Sequence, residues 1–142
     1  INPGAIVAIR YEGPKGSGMP DMFMTTDAIV FDERLNGTVS IVTDGRFSGA
    51  TRGPCIGHVS PEAVEGGPIA LLENGDLIEI DIMERKINVV GLGGQAADAA
   101  VIAKVMAERK AAWKLPELKP KKGMLKRYAQ NAVSAMAGAY MK

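Results

Sequence analysis

Two short apolar runs, joined by a segment with helical spacing, constrain the fold more than any other feature of the sequence. Residues 5–10 form a continuous apolar run behind a Pro-Gly pair, which is typical of a buried strand. Residues 38–43 alternate in polarity and are rich in β-branched side chains, which indicates a second strand. Between them, residues 19–31 offer apolar side chains to one helical face. This order predicts a β-α-β unit with two parallel strands.

The second of these strands runs into a loop that is rich in glycine and charge. Residues 43–53 read Thr-Asp-Gly-Arg-Phe-Ser-Gly-Ala-Thr-Arg-Gly. The hydroxyl of Ser48 becomes a useful base only where a metal, a cation or backbone N–H groups stabilise its oxyanion. Arg46 and Arg52 supply positive charge that suits an anionic substrate. The alternative is a tight structural loop with two surface arginines, and the pattern alone leaves it open.

The loop after the first strand carries a second candidate group, Glu12. In a β-α-β unit the loops after both strands emerge at the same end of the sheet, where open α/β sheets bind ligands. We therefore expect Glu12 to meet Ser48, and its carboxylate is a candidate metal ligand. A loop glutamate is also commonly a solvated side chain. A purely structural domain would instead place Glu12 and Ser48 far apart.

The rest of the chain gives elements without evident chemistry. His58, in an apolar run, is either a proton carrier or a hydrogen-bonded structural residue. The further predicted elements are a helix start at residues 60–65 with Ser60 as N-cap, a hairpin of residues 68–72 and 77–82 around Asn74-Gly75, a strand at residues 85–90, and helices at residues 95–113 and 124–140.

Composition and cysteine content limit the classes of protein to which the chain can belong. With 142 residues, 46% of them hydrophobic and 23% charged, the chain predicts one globular domain. No apolar run approaches the roughly 18 residues of a membrane span. The single cysteine, Cys55, excludes an internal disulfide and any cluster site built from this chain's cysteines, and it suits the reducing cytoplasm.

Charge is distributed unevenly along the chain. The net charge is +1, but residues 104–142 hold 10 Lys and Arg against 2 Asp and Glu. These lysines stand among Ala, Met and Leu at helical spacing with few aromatic residues, which favours packing against the body or a partner over nucleic acid. The first residue is Ile1 rather than methionine, so we expect the chain to be part of a longer protein.

Several motifs, in order, resemble the C-terminal domain of the dihydroxy-acid dehydratase and phosphogluconate dehydratase family. They lie at residues 11–16, 18–20, 43–53, 56–62 and 65–71. The resemblance covers residues 3–88, with a weaker part at 113–128. It implies an α/β fold: a swivelling β-barrel-like domain with flanking helices, similar to the mobile domain of aconitase. Residues 1–95 would then form the swivelling domain that carries the site loops, and residues 96–142 its helical C-terminal extension.

The resemblance also implies a hydro-lyase, which removes water from a 2,3-dihydroxy carboxylic acid to give a 2-oxo acid. In this family an iron–sulfur cluster takes the leaving hydroxyl, Mg²⁺ holds the substrate, and a serine removes the C2 proton. By motif position the serine is Ser48 and a Mg²⁺ ligand is Glu12. Gly49 and Thr51 would contact the substrate's carboxylate. Arg46 would either bind the substrate or, like Asp44, hold the shape of the loop.

The same resemblance gives expectations for the substrate and for the assembly of the enzyme. The loop motif favours the branched-chain amino acid biosynthesis enzyme, while a sugar acid such as gluconate or 6-phosphogluconate is the alternative. The sequence departs from the common pattern at residues 16–19 and 89–94, and loops at the edge of a site set specificity. The cluster cysteines and other Mg²⁺ ligands of the family lie in an N-terminal domain, so this chain alone is predicted to be inactive. We expect a homodimeric full-length enzyme; a separate small subunit docking a cluster-bearing large subunit is the competing arrangement.

Overall fold

The computed structural model describes residues 1–49 and 51–142. The chain divides into two compact units, one of residues 1–70 with 115–142 and the other of residues 71–114. The described strands form two separate three-stranded sheets and no closed barrel, so the fold is mixed α/β without the barrel closure that the resemblance implied. The predicted division at residue 95, between the swivelling part and the helical extension of the same domain, stays a prediction.

The first unit contains the expected β-α-β arrangement. Its elements are, in chain order, β1 (Ile6–Ile9), α1 (Phe23–Val30), β2 (Ser40–Thr43) and β3 (Cys55–Ile56). The sheet has the order β1-β2-β3, and both strand pairs are parallel, with Ile9 beside Thr43 at the end of the first pair.

Helix α1 begins four residues later than the apolar spacing predicts. Residues before it are engaged by the serine loop instead, since Asp21 bridges Arg46 in parallel and the Met22 N–H donates to the Arg46 carbonyl at 3.0 Å. A strand-like contact and a helical turn cannot use the same backbone groups. The helix therefore starts at Phe23.

A small apolar cluster fixes the position of β2. Its fully buried members are Ile29, Leu35, Val39 and Ile41, and the partly buried side chains of Val7, Ile9, Phe47 and Cys55 pack against it. Burial of each large aliphatic side chain contributes about 1.5–3 kcal/mol. Ile41 and Val42, whose side chains point to opposite faces of the sheet, are 1% and 2% exposed, so the strand that leads into the serine loop is buried on both faces.

The predicted helix start at residues 60–65 is wrong. The Ser60–Pro61 peptide bond is cis, and only a 3-10 helix, Ala63–Glu65, forms. The Ser60 hydroxyl does not cap this helix but donates to the His58 carbonyl at 3.3 Å. Gly66 adopts a left-handed conformation, φ 65°, and ends the helix at the predicted place.

The second unit has an antiparallel sheet and one long helix. Strands β4 (Leu77–Asp81), β5 (Lys86–Leu92) and β6 (Gln95–Ala96) are neighbours in that order, and α2 spans Ala99–Ala112. The predicted hairpin around Asn74-Gly75 is wrong, because residues 68–71 form a 3-10 helix and β4 pairs with β5. Helix α2 starts later than residue 95 because residues 95–96 pair with β5.

The last helix is shorter than predicted. Helix α3 spans Gly123–Asn131, and a 3-10 helix follows at Ala135–Ala137. The chain folds back after α3, because Ala132 bridges Met141 in an antiparallel manner and the Val133 N–H donates to the Tyr140 carbonyl at 2.9 Å. Within residues 1–49 and 51–142, no helix is both long and apolar enough to cross a membrane.

Candidate active site

The loops after β1 and β2 leave the same edge of the sheet and touch each other. Ile9 and Thr43 are paired at the ends of these strands, so residues 11–16 and 44–49 begin side by side. A Cβ atom built on Gly45 would lie 3.2 Å from the Glu12 Cβ atom. A glycine at position 45 therefore lets the two loops come into contact, as the β-α-β order predicts.

A buried carboxylate, Asp44, connects the two loops. Its side chain is fully buried and accepts hydrogen bonds from three backbone N–H groups: Glu12 at 2.9 Å, Tyr11 at 3.2 Å and Ala63 at 2.8 Å. Charge-assisted bonds of this kind are roughly twice as strong as neutral ones. Asp44 thus has the loop-holding role, and it fixes the backbone on which Glu12 stands.

A second buried carboxylate, Glu62, supports the far side of the Glu12 loop. It is 2% exposed and accepts hydrogen bonds from the backbone N–H groups of Lys15 and Gly16, at 3.1 Å each. Burial raises the pKa of the Glu62 carboxyl above its usual value, and these bonds only partly oppose that change. A Cβ atom at Gly13 would lie 2.3 Å from its carboxylate, so this close approach requires glycine.

Glu12 itself is buried and has a partner at each oxygen. Its residue exposure is 7%. The Ser17 hydroxyl donates to Oε2, and the ammonium group of Lys119 forms an ion pair with Oε1. The solvated-glutamate alternative is therefore excluded for this chain. Lys119 comes from a segment more than a hundred residues away in sequence.

Ser48 lies half-buried on a loop that is anchored beside it. The Phe47 ring packs against the apolar cluster under β2, and the Thr51 N–H donates to the Ser48 carbonyl at 3.2 Å, which closes a turn. Gly49 is exposed, and a Cβ atom there would meet no atom within 4 Å. The Thr51 hydroxyl oxygen is buried and has no hydrogen-bond partner among the described residues.

The Arg46 side chain helps to hold two loops together. Its Nε donates to the Met19 carbonyl at 2.9 Å, which ties the serine loop to the segment before α1. His58 is exposed, and its backbone N–H donates to the Gly45 carbonyl at 2.9 Å. Arg46 and His58 therefore both make structural contacts around the serine loop.

Three residues around the site have backbone conformations that non-glycine residues rarely adopt. Tyr11, Met19 and His58 have φ angles of 66°, 62° and 58°. Each such left-handed residue costs on the order of 1 kcal/mol and persists only where surrounding contacts impose it. Tyr11 is held this way by its hydrogen bond to Asp44.

The Glu12 carboxylate is a candidate for one Mg²⁺ ligand and does not form a metal site by itself. A buried carboxylate such as Glu12 is the oxygen donor that Mg²⁺ prefers. In the part of the chain that the structure describes, no three His, Cys, Asp or Glu side chains are grouped so that they could hold a metal ion. The sequence has one cysteine, so an iron–sulfur cluster does not fit this chain.

Comparison with known protein families identifies the domain. The family model described as dihydroxy-acid/6-phosphogluconate dehydratase C-terminal matches residues 1–139. The chain belongs to this family. The family match extends the motif resemblance, which covers residues 3–88 with a weaker part at 113–128, over nearly the whole chain.

Several curated relatives of the chain are named dihydroxy-acid dehydratase. A dihydroxy-acid dehydratase of Methanococcus aeolicus is 48% identical over 143 aligned positions, which cover 100% of this chain and 24% of that protein. The enzyme of that name from Geobacter metallireducens is 51% identical over 140 positions, covering 98% and 23%. The one from Ignicoccus hospitalis is 50% identical over 144 positions, covering 100% and 24%. The chain thus spans about a quarter of the length of these relatives.

Sequence reasoning missed three supports of the dehydratase-family site: Ser17, Glu62 and Lys119. A signal existed for Glu62, because two glycines in the Glu12 loop indicate close approach by another group. No local pattern pairs Lys119 with Glu12, since one stands in a basic tail and the other in an early loop.

Proposed function

We propose that the chain is the C-terminal domain of a hydro-lyase that converts a 2,3-dihydroxy carboxylic acid to a 2-oxo acid. The observation that carries this proposal is the contact between the Glu12 and Ser48 loops at the carboxyl edge of β1 and β2. Family membership and the name of the relatives give the reaction class. The substrate that we propose first is the 2,3-dihydroxy acid of branched-chain amino acid biosynthesis.

Ser48 is proposed as the base that removes the C2 proton. A proton beside a carboxylate is weakly acidic, and a serine hydroxyl is a poor base in water. A Mg²⁺ ion, when bound, would supply the charge that stabilises both the serine oxyanion and the enediolate. Ser48 is half-buried, and the packing of its neighbour Phe47 on the apolar cluster supports the loop that carries it.

Substrate contacts are proposed for three further positions. The buried Thr51 hydroxyl, which has no partner among the described residues, suits a hydrogen bond to the substrate carboxylate. The open surroundings of Gly49 allow close approach to its backbone. Arg46 would attract the anion by its charge, while its Nε holds the loop.

Glu12 would supply one oxygen ligand for Mg²⁺, and the other ligands would come from the N-terminal domain. That domain would also hold the iron–sulfur cluster, which would supply Lewis-acid chemistry for the leaving hydroxyl. We further propose a cytoplasmic, homodimeric enzyme with small-molecule substrates, without nucleic-acid or membrane partners. We also propose that this domain swivels, as the family resemblance implies.

A substrate comparison tests the proposed reaction. The full-length, cluster-loaded protein is expected to form 2-oxo acid from 2,3-dihydroxyisovalerate, with kcat/KM at least about tenfold above those for gluconate and 6-phosphogluconate. The 142-residue chain alone should form none. Preference for a sugar acid would keep the reaction class and replace the substrate, which the family description also allows. Absence of dehydration with all three acids would contradict the proposal.

A further inference from the structure

Helix α1 is apolar on both its inner and its outer side. On the inner side, Ile29 is buried and belongs to the apolar cluster around β2. On the outer side, Met24, Ala28 and Phe31 follow one another at the spacing of a single helical face, and all three are exposed. The Phe31 backbone is still helical, so position 31 continues that face. We call Phe23, Met24, Ala28 and Phe31 the outer face of α1.

The outer face does not have the composition of a helix side that faces water. Met24 and Phe31 are 78% and 79% exposed, and Asp27 is the only charged residue between Phe23 and Val30. A surface helix normally has polar residues on its outer side, whereas a helix that is apolar all round is normally buried. Exposed apolar patches mark interaction sites. The outer face therefore indicates a contact that the chain does not make by itself.

The outer face lies beside the serine loop. Met22, which precedes the helix, donates its backbone N–H to the Arg46 carbonyl. A groove of about 280 Å³ lies along the helix and is lined by Phe23, Thr26, Asp27, Val30, Phe31 and Arg52. Since Arg52 belongs to the serine loop, a surface that fills this groove contacts helix α1 and the serine loop together.

Two observations favour the N-terminal domain of the full-length enzyme as the occupant of the groove. The chain matches a family model described as C-terminal, and it spans about a quarter of the length of its relatives. In the proposed function, the groups that this chain lacks come from the N-terminal domain and have to reach the substrate at Ser48. The N-terminal domain would then come next to the serine loop, where the groove lies.

We propose that the outer face of α1 and the adjoining groove dock the N-terminal domain of the full-length enzyme. The surface that covers them is apolar, because it replaces water around two aromatic rings and a thioether. The contact also places the serine loop against that domain, since Arg52 forms part of the groove. This inference rests on the proposed function, because it takes the chain as one domain of a longer enzyme.

Photo-cross-linking and side-chain labelling of the full-length, cluster-loaded protein test the inference. For cross-linking, p-benzoylphenylalanine takes the place of Phe31, and the protein is irradiated in buffer and, as a control, in urea. We expect a cross-link within one chain to a peptide of the N-terminal domain, and its loss in urea. In the parent protein, microsecond hydroxyl-radical labelling of Met24 should be at least about tenfold slower in the native state than in urea, because the core of an interface excludes water.

Neither readout depends on turnover, so the inference and the proposed function can fail separately. A cross-link that joins two chains identifies a second copy as the occupant and overturns the inference. A cross-link confined to residues 1–142 of one chain, or no cross-link at all, also overturns it. Labelling of Met24 within about twofold of its rate in urea would show that the face is open to water, with the same consequence. If the expected cross-link forms but the enzyme dehydrates none of the three acids, the docking surface stands and the proposed function fails.

Discussion

At the scale of single residues, buried carboxylates rather than apolar side chains define the site. Asp44 and Glu62 receive backbone N–H groups from the Glu12 loop, and Asp44 receives another from Ala63. Loops have few apolar contacts of their own, so side-chain acceptors have to satisfy their buried N–H groups. These two carboxylates hold the backbone of the Glu12 loop in place through hydrogen bonds.

Asp44→Asn tests this role directly. The amide presents N–H groups where the carboxylate accepts three hydrogen bonds, so at least one buried backbone donor loses its partner. We expect the free energy of unfolding to fall by about 2–4 kcal/mol, measured by urea denaturation. Asp32→Asn is the control, because Asp32 pairs with Arg34 at the surface, and it should leave the value close to that of the parent. Equal effects of the two substitutions would refute the role given to Asp44.

At the scale of elements, local periodicity predicts the structure where local contacts decide it. Strands β1 and β2 and helix α1 follow from their own apolar patterns. Residues 60–65 and 132–140 carry helical signals but do not form the predicted helices, because backbone groups in these segments find partners elsewhere. Such partners are set by tertiary contacts, which propensity does not contain.

In the second unit, a buried ion pair attaches helix α2 to the turn before β4. Arg109 donates from Nη1 and Nη2 to the Asp76 carboxylate at 2.6 and 3.1 Å, and the Asp76 side chain is 2% exposed. Burial alone would raise the pKa of Asp76, but the hydrogen bonds and charge of Arg109 outweigh it and hold that pKa below its ordinary value of 3.8.

The lowered pKa predicts acid sensitivity. A carboxyl group with a lower pKa in the folded state stabilises the fold above its unfolded pKa and loses this contribution as pH falls through the folded pKa. Asp76→Asn should therefore lower the free energy of unfolding by about 2 kcal/mol at pH 6, and its difference from the parent should shrink below about pH 4. Urea denaturation across this range measures it. Glu84→Gln is the control, because Glu84 forms an exposed pair with Lys86, and at pH 6 it should leave the free energy of unfolding close to that of the parent.

At the scale of the whole molecule, the order of motifs carries more information than the pattern of elements. Parallel strands necessarily bring their following loops to one edge, so the contact between the Glu12 and Ser48 loops could be predicted. The pairing of Lys119 with Glu12 could not, because it depends on how the basic tail lies on the first unit. The sequence predicts that the basic tail packs against the body or a partner. In the structure, Lys119 from this tail forms an ion pair with Glu12.

The central claim is that Ser48 is the base of a dehydratase site, and turnover of its alanine variant tests it most directly. In the full-length, cluster-loaded enzyme, Ser48→Ala should lower kcat for 2-oxo acid formation by at least about a thousandfold, with the visible absorbance of the cluster unchanged. Ser40→Ala, at the opposite end of β2, is the matched control and should retain most activity. If Ser48→Ala keeps turnover within about tenfold of the parent, Ser48 is not the base and the account of the site is wrong.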